Sequence, residues 1–460
     1  MISVEELYAL YKRCSGITTD SRKIKDGAMF FALKGETFDG NDFALDALKA
    51  GARYAVVDRF LLEGTAWRGR KCIVVENSLE MLQKLAAYHR RQFDIPVIGI
   101  TGTNGKTTTK ELISAVLGAR FDICATEGNL NNDIGVPLSL LKMRPWTQMA
   151  VIEMGASHPD DIAKLVKVSR PNYGLITNVG KAHLQGFGSF EGVKAAKGEL
   201  YRWLGSHEGS LIFLNQDDAD LVEMARPQPC HVFGYGLHYQ GAELLPATPA
   251  EPFLRILLSD GQVVNTRLVG SYNAPNVMAA LAIGEYFGVS RASAVAAIEA
   301  YEPSNSRSQL KRTESNTLII DAYNANPSSM KVALDNLEAM MGDSKLALLG
   351  GMRELGDDSL AEHITVVKRL LGSGIKFCLV GEEFRKALLA CNVPGMEMAS
   401  SADGAVAPVN SVLPAEGAFR GWFATSNELA LELGARPVKD SIVLVKGSRG
   451  TRMENVLAAL

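Results

Sequence analysis

Ile95-Pro96-Val97-Ile98-Gly99-Ile100-Thr101-Gly102-Thr103-Asn104-Gly105-Lys106-Thr107-Thr108-Thr109 decides how this chain folds. Residues 95–100 are a short apolar run, suited to a strand buried on both faces. Gly102 and Gly105 permit a tight loop whose backbone N–H groups converge on one point. The spacing of Leu112, Ile113, Val116 and Leu117 predicts a helix from about Thr107 to Leu117, with Gly118 as its stop. Backbone amides at a helix N-terminus form an anion site. Lys106 would add a positive charge for β- and γ-phosphates, and the Thr107 hydroxyl would reach a Mg²⁺ ion. The spacing G-x-x-G-K-T is shorter than the standard phosphate loop, G-x-x-x-x-G-K-[ST]. A plain glycine turn is the alternative. Against it, strand, glycines, lysine, hydroxyl and helix all stand in the order that phosphate binding requires.

The 460 residues are enough for roughly two to four domains with large cores. The net charge of −3 gives no general attraction to nucleic acid. No apolar run reaches membrane-spanning length, and Met1-Ile2-Ser3-Val4-Glu5 does not read as a signal peptide. Cys14, Cys72, Cys124, Cys230, Cys378 and Cys391 are scattered, with no C-x-x-C pair. That pattern argues against a structural zinc site or a disulfide framework, and fits a reducing cytoplasm. All six read as small buried hydrophobes.

The expected fold class is α/β in three parts. Residues 1–88 read as a small α/β domain with strands at Met29–Leu33, Tyr54–Val57 and Cys72–Val75. Residues 89–306 read as a doubly wound parallel sheet carrying the phosphate loop, with strands at Met149–Ile152, Gly174–Thr177 and Leu211–Leu214. From about 231 to 269 the period changes. Leu254, Ile256 and Leu258 alternate before an Asp260-Gly261 turn, which predicts an antiparallel insert or flanking sheet. After the polar break Pro303–Ser308, residues 307–460 read as a second doubly wound, Rossmann-like unit. Its strands are expected at Thr317–Ile320, Lys345–Leu349, Phe377–Val380 and Ser441–Val445. Ser359-Leu360-Ala361-Glu362 reads as a capping box and Gly372 as a helix stop.

In open α/β sheets, ligands lie at the carboxyl ends of strands. Glu153 ends one such strand, where its carboxylate could hold Mg²⁺ opposite Thr107 or simply face solvent. His183 lies in the segment after another strand. A lone histidine is more often structural than a ligand. Lys197 would on its own be a solvated helix residue, and Asn273 and Asn276 would be helix caps. Asp321-Ala322-Tyr323-Asn324-Ala325-Asn326-Pro327 ends a strand with a polar density that packing does not explain. The runs Leu349–Gly356 and Val445–Gly450 also follow strands. Lys446 and Arg449 could hold an anion there, or these could be ordinary glycine turns with surface charges.

Gly102-Thr103-Asn104-Gly105-Lys106-Thr107-Thr108 resembles the nucleotide loop of the Mur ligases, ATP-dependent amide-forming enzymes of peptidoglycan precursor synthesis. The resemblance covers essentially the whole chain. Thr19-Asp20-Ser21-Arg22 and the Asp39-Gly40 loop resemble the first domain of the later amino-acid-adding members. The 321–327 run and Gly351-Met352-Arg353-Glu354-Leu355-Gly356 resemble the member that adds D-alanyl-D-alanine, although Gly351 stands where that pattern carries Asp. The Asp-Asn-Pro-Arg run of diaminopimelate-adding members is missing.

The resemblance implies a cytoplasmic ligase, expected as a monomer, that uses ATP and Mg²⁺ to join D-alanyl-D-alanine to UDP-N-acetylmuramoyl tripeptide. It implies no nucleic-acid partner and no membrane insertion. By this likeness Thr107 and Glu153 bind one Mg²⁺, and His183 with a carbamylated Lys197 binds a second; Lys194 is the lesser candidate for the carbamate. Asn273 and Asn276 lie near the adenine, and Arg307 and Asp321 contact the nucleotide. Asp20, Ser21, Arg22, Lys34 and Gly35 face the uridine diphosphate, and Asn131 and Asn132 line the cleft. Tyr323, Asn324, Asn326, Lys446 and Arg449 complete the expected substrate site. Two rival readings are a non-catalytic nucleotide switch and a ligase of the same chemistry with other substrates, such as a folylpolyglutamate synthase. The polar strand ends of the third part argue against the first, and the uridine-type motifs against the second.

Overall fold

The computed structural model describes residues 2–59, 71–248, 251–303, 307–342, 344–394 and 418–460. Ser304, Asn305 and Ser306, part of the expected polar break, lie outside the described residues. Among the described residues the strands form four sheets. β1 (Ile17–Thr18), β2 (Met29–Phe31), β3 (Tyr54–Val57) and β4 (Cys72–Val74) make a parallel N-terminal sheet in that order. The helix Ser78–Arg90 then leads into the central sheet. Its apolar face joins Leu82, Leu85 and Ala86 to one core shared with Leu7 and Met29 on one side and Val136 and Ile152 on the other.

The central sheet contains β5 (Val97–Thr101), β6 (Ile123–Ala125), β7 (Met149–Glu153), β8 (Tyr173–Ile176), β9 (Leu211–Asn215) and β10 (His231–Tyr235). Its order is β10-β9-β8-β5-β7-β6, all parallel. Every residue of β5, β7 and β9 is buried, as near-continuous apolar runs require when helices cover both faces. β10 carries the period change noted in the sequence, yet it extends the parallel sheet and does not begin the insert. Its exposed His231 and Val232 break the apolar run that marks inner strands. The antiparallel insert is β11 (Glu243–Leu245), β12 (Arg255–Leu257) and β13 (Val263–Asn265).

The C-terminal sheet contains β14 (Gln309–Arg312), β15 (Asn316–Asp321), β16 (Lys345–Gly350), β17 (Lys376–Val380), β18 (Phe419–Phe423) and β19 (Ser441–Lys446). The order is β14-β15-β19-β16-β17-β18, parallel except for the edge strand β14. The expected capping box at Ser359 does not form. Residues 356–358 turn as a 3₁₀ helix with Asp358 already in the right-handed region, so Ser359 is helical from the start and no side chain caps it. The helix passes through Gly372 and stops at Gly374, whose φ of 71° is the left-handed turn that a helix end needs.

Two glycines set how closely the central helices approach. A Cβ on Gly99 in β5 would stand 2.7 Å from Met154 Cε and 3.2 Å from Leu200 Cδ1, and one on Gly174 in β8 would stand 2.9 Å from Leu204 Cδ1. The helix Glu199–Gly205 therefore lies directly on these strands. It continues from the helix Phe190–Lys197, so its seating also fixes Lys197. Gly99→Val is expected to destabilise the protein by about 1–3 kcal/mol through overpacking, measured by denaturant unfolding. An unchanged midpoint would refute this close-packing role.

Candidate active site

The turn after β5 is held from the neighbouring strand. Thr103 N donates to Asn178 O at 3.0 Å, and Asn104 N donates to Asn178 Oδ1 at 3.0 Å. Asn104 O accepts from Thr177 Oγ1 at 2.6 Å and from Asn178 Nδ2 at 3.1 Å. Gly102 has φ 142°, and Thr177 occupies the space a side chain there would need. Gly105, at φ 78°, caps a helix that runs Lys106–Gly118, one residue longer at each end than the apolar spacing predicts. Lys106 Nζ folds back onto Gly102 O at 2.6 Å and Thr103 O at 3.1 Å. Loss of water contact lowers its pKa to about 8, with Glu153 pulling it up and Arg307 down.

Beneath the turn lies a buried amide network. Asn276 Oδ1 accepts from Thr109 Oγ1 at 2.9 Å, and its Nδ2 donates to Asn273 Oδ1 at 3.0 Å. Asn273 Nδ2 donates to Val269 O at 2.9 Å. Asn273 stands at the N-cap position of the helix Ala274–Tyr286, but no side-chain cap bond forms there, and Asn276 lies inside the helix. Both line a cavity of about 1070 Å³ that separates the central sheet from the C-terminal one. Thr103, Asn104, Gly105, Lys106 and Thr108 line it as well, while Gly102 and Thr107 lie behind them.

Glu153 ends β7 on the same cavity and is 1 % exposed. Its Oε2 accepts from Thr107 Oγ1 at 2.9 Å and its Oε1 from Asn131 Nδ2 at 2.7 Å. Asn131 and Asn132 line the cavity beside it. His183 also reaches the wall, with Nδ1 in ion-pair contact with Glu354. Lys197 is no surface residue: it is 2 % exposed, behind the wall, with Nζ donating to Ala156 O at 3.1 Å and lying 5.3 Å from the Phe187 ring centre. Burial, then repulsion from Lys106, lowers its pKa to about 7. Lys194 instead pairs with Asp220 at 2.9 Å and Glu223 at 3.0 Å, which raises its pKa.

The strand ends of the C-terminal sheet form the opposite wall. Arg307, Asp321, Tyr323, Asn324, Asn326 and Arg449 all line the cavity. The Arg307 guanidinium sits 3.7 Å from the Tyr323 ring centre, and that of Arg449 sits 5.5 Å away. Lys446 reaches the cavity but is not a free cation. It is 1 % exposed, with Nζ 2.5 Å from Asp321 Oδ2 and 3.2 Å from Asn324 O. Adjacent registers of β15 and β19 place Asp321 opposite Lys446, so the two neutralise each other. Asn326 Nδ2 donates to Asn104 Oδ1 at 2.9 Å, which ties this wall to the glycine turn.

Asp20, Ser21, Arg22, Lys34 and Gly35 are not brought to this cavity. Asp20 caps a 3₁₀ turn and holds Arg22 through two bonds of 2.9 and 3.0 Å, which lowers its carboxyl pKa to about 2. Lys34 pairs with Asp58 at 3.1 Å, and Gly35 N bonds Phe38 O.

Family profiles match in three blocks: the Mur ligase family catalytic domain at residues 13–90, the Mur ligase middle domain at 100–284, and the Mur ligase glutamate ligase domain at 306–449. The chain is 37% identical over 347 residues to the UDP-N-acetylmuramoyl-tripeptide–D-alanyl-D-alanine ligase of Bacillus subtilis (strain 168), spanning 74% of each. The chain belongs to the Mur ligase family. It is also similar to a crystal structure of MurF from Acinetobacter baumannii, at TM-score 0.80 and 29% identity over 99% of this chain and 98% of that one. A MurF ligase of Thermotoga maritima in complex with ADP gives 0.79 and 26%, over 98% and 97%.

In this Mur ligase the site includes residues that sequence reasoning left out. Ser157, His158, Asp161 and Lys164 form the wall after β7. They directly continue the strand end at Glu153, so the rule that ligands sit at strand ends would have reached them. Thr126, whose Oγ1 accepts from Glu153 N at 3.0 Å, carries no sequence signal, because it acts only through the sheet register.

Proposed function

We propose that this enzyme joins D-alanyl-D-alanine to the terminal carboxylate of UDP-N-acetylmuramoyl tripeptide at the expense of ATP, forming the pentapeptide precursor of peptidoglycan. One observation carries the reading: an anion-binding glycine turn, a buried carboxylate and the polar strand ends of a second sheet all face one cleft. The family relatives named above are consistent with it. The boundaries 1–88, 89–306 and 307–460 divide the work. The first part would take the uridine diphosphate, the second ATP, and the third the incoming dipeptide. We take the catalyst as a monomer, and the six free cysteines fit a cytoplasmic location.

A carboxylate and an amine do not condense in neutral water, so the carboxylate needs a leaving group. The γ-phosphate of ATP provides it as an acyl phosphate. Turn amides and Lys106 hold the phosphates and offset the charge on the group in flight. Asn273 and Asn276 fit the nucleoside end, and Arg307 approaches from the third part. The dipeptide amine then attacks the acyl carbon, and phosphate leaves. Because the groups come from both sheets, closing the cleft also excludes water from the acyl phosphate.

The residues fit Mg²⁺. Glu153 and Thr107 present hard oxygen donors, and the two groups that hydrogen-bond the buried carboxylate of Glu153 are neutral, with only the more distant charge of Lys106 to offset it. Among the described residues no three His, Cys, Asp or Glu side chains converge on one point, so phosphate oxygens would complete the coordination. When bound, Mg²⁺ supplies charge neutralisation at the transferring phosphoryl. A second ion would sit with His183 and Lys197. An ammonium there would repel the cation by roughly 4 kcal/mol per unit of cation charge, about 8 kcal/mol for Mg²⁺, at ~4 Å and an effective dielectric of ~20. We assign Lys197 as carbamylated: its neutral amine attacks CO₂, a proton leaves to water, and the product is an anion. The lowered pKa supplies the neutral amine.

Phosphate release from ATP is expected to need both the UDP-muramoyl tripeptide and D-alanyl-D-alanine, and to fall by roughly 10²–10³-fold in Lys106→Ala with the fold unchanged. Release indifferent to the dipeptide would overturn the ligase reading. Lys197→Ala is expected to lose activity and regain part of it with added short-chain carboxylates, which restore the missing negative charge. Unimpaired activity in that variant would refute the role.

A further inference from the structure

Ser308 stands where the central unit passes into the C-terminal one. It directly precedes β14, is 6 % exposed and holds a left-handed φ of 49°. A left-handed serine is a strained position that the surrounding contacts must hold. Its Oγ lies 2.9 Å from the Tyr272 hydroxyl. Tyr272 belongs to the 3₁₀ turn Ser271–Asn273, so it neighbours the buried amide of Asn273. Its ring lies on Gly270, at φ 90°, where a Cβ would overlap it. The tyrosine is therefore seated by its own turn and reaches the connector with its hydroxyl. Arg307, next to Ser308, faces the cleft, its guanidinium 3.7 Å from the Tyr323 ring centre. Its Nε is buried without a hydrogen-bond partner. Ring stacking attracts the cation but imposes no donor–acceptor geometry. The backbone at 307–308 thus decides where this charge stands. The charge reaches the glycine turn, where it helps to lower the pKa of Lys106.

We propose that Tyr272 is a positioning residue: its hydroxyl, bonded to Ser308 Oγ, holds the left-handed turn that presents the Arg307 guanidinium to the nucleotide. The inference rests on the reading above that Arg307 contacts the nucleotide. One end of the bond lies in the turn that carries Asn273, at the nucleoside end of the cleft, and the other lies beside the arginine. A single hydrogen bond then sets the spacing between the nucleoside site and a cation for the phosphates. A displacement of ~1 Å at such a group can cost about 100-fold in rate. The connector has a second tie that does not touch Arg307: Arg267 pairs with Glu302 at its upstream end, with both side chains exposed. An exposed pair of this kind holds little.

Steady-state kinetics of the full chain, read as phosphate release from ATP with both other substrates present, test this. Tyr272→Phe keeps the ring on Gly270 and removes only the hydroxyl, and Ser308→Ala removes the other end of the bond. Each is expected to lower kcat by roughly 10–100-fold, with the KM for ATP and the unfolding midpoint little changed. The double variant should lose no more than either single one, and Tyr272→Phe should cost nothing further in an Arg307→Ala background. Arg267→Ala should leave kcat as it is. A normal kcat in Tyr272→Phe would overturn the proposal. So would a loss in Tyr272→Phe without one in Ser308→Ala, which would place the hydroxyl on the ligand instead. Losses from Tyr272→Phe and Arg307→Ala that multiply, or an equal loss in Arg267→Ala, would also overturn it. Normal turnover in Arg307→Ala would overturn the underlying reading that Arg307 serves the nucleotide.

Discussion

The cleft depends on the hydrogen bonds that bind the glycine turn to the end of β8. Thr177 and Asn178 take up the backbone of Thr103 and Asn104 from outside, so the turn's shape does not rely on a ligand. Each bond is worth about 1 kcal/mol net. Their larger effect is to pay the ordering cost in advance, leaving amides aimed at one point before an anion arrives. The strand order makes this possible, because β8 lies directly beside β5 although two other strands, β6 and β7, and the helices between them separate the two in the chain. Gly102 and Thr177 form one unit, since the hydroxyl fills the space a Cβ would occupy.

That geometry gathers charge. Burial makes both Lys106 and Lys197 lose affinity for their protons, and Lys106 adds repulsion at Lys197. Glu153 is the buried anion nearest the turn, and its two hydrogen-bond donors are neutral. A site so arranged is electrostatically unbalanced, and the proposed phosphate, cation and Lys197 carbamate would together balance it. On the opposite wall the charges are settled already, because Lys446 and Asp321 neutralise one another. Arg307 and Arg449, stacked about Tyr323, and Arg353 remain on that wall as cations for an anionic ligand.

The strong apolar runs were legible in the sequence, since β5, β7, β8, β9, β15, β16, β17 and β19 are buried on both faces and read as continuous apolar stretches. The weak ones were not. β14 is a polar edge strand and β1 is only two residues long, so neither carries a period. β10 misled because its outer half is exposed. At the site, residue types at strand ends pointed to Glu153 and the 321–327 run, whereas only the family resemblance singled out His183. The partners of those residues were not, because register decides them: Lys446 reads as a free cation until β15 and β19 are seen to be adjacent. The burial of Lys197 was equally hidden, since it comes from the close seating of the next helix on Gly99 and Gly174.

Chemistry and closure meet at the carboxylate of the tripeptide. If the cleft activates it as an acyl phosphate, one carboxylate oxygen must leave on phosphorus. Tripeptide labelled with ¹⁸O in its terminal carboxylate tests this directly when the phosphate released during turnover is examined by mass spectrometry. Acyl phosphate chemistry predicts one labelled oxygen in each phosphate. Unlabelled phosphate, formed at the rate of amide bond formation, would contradict it.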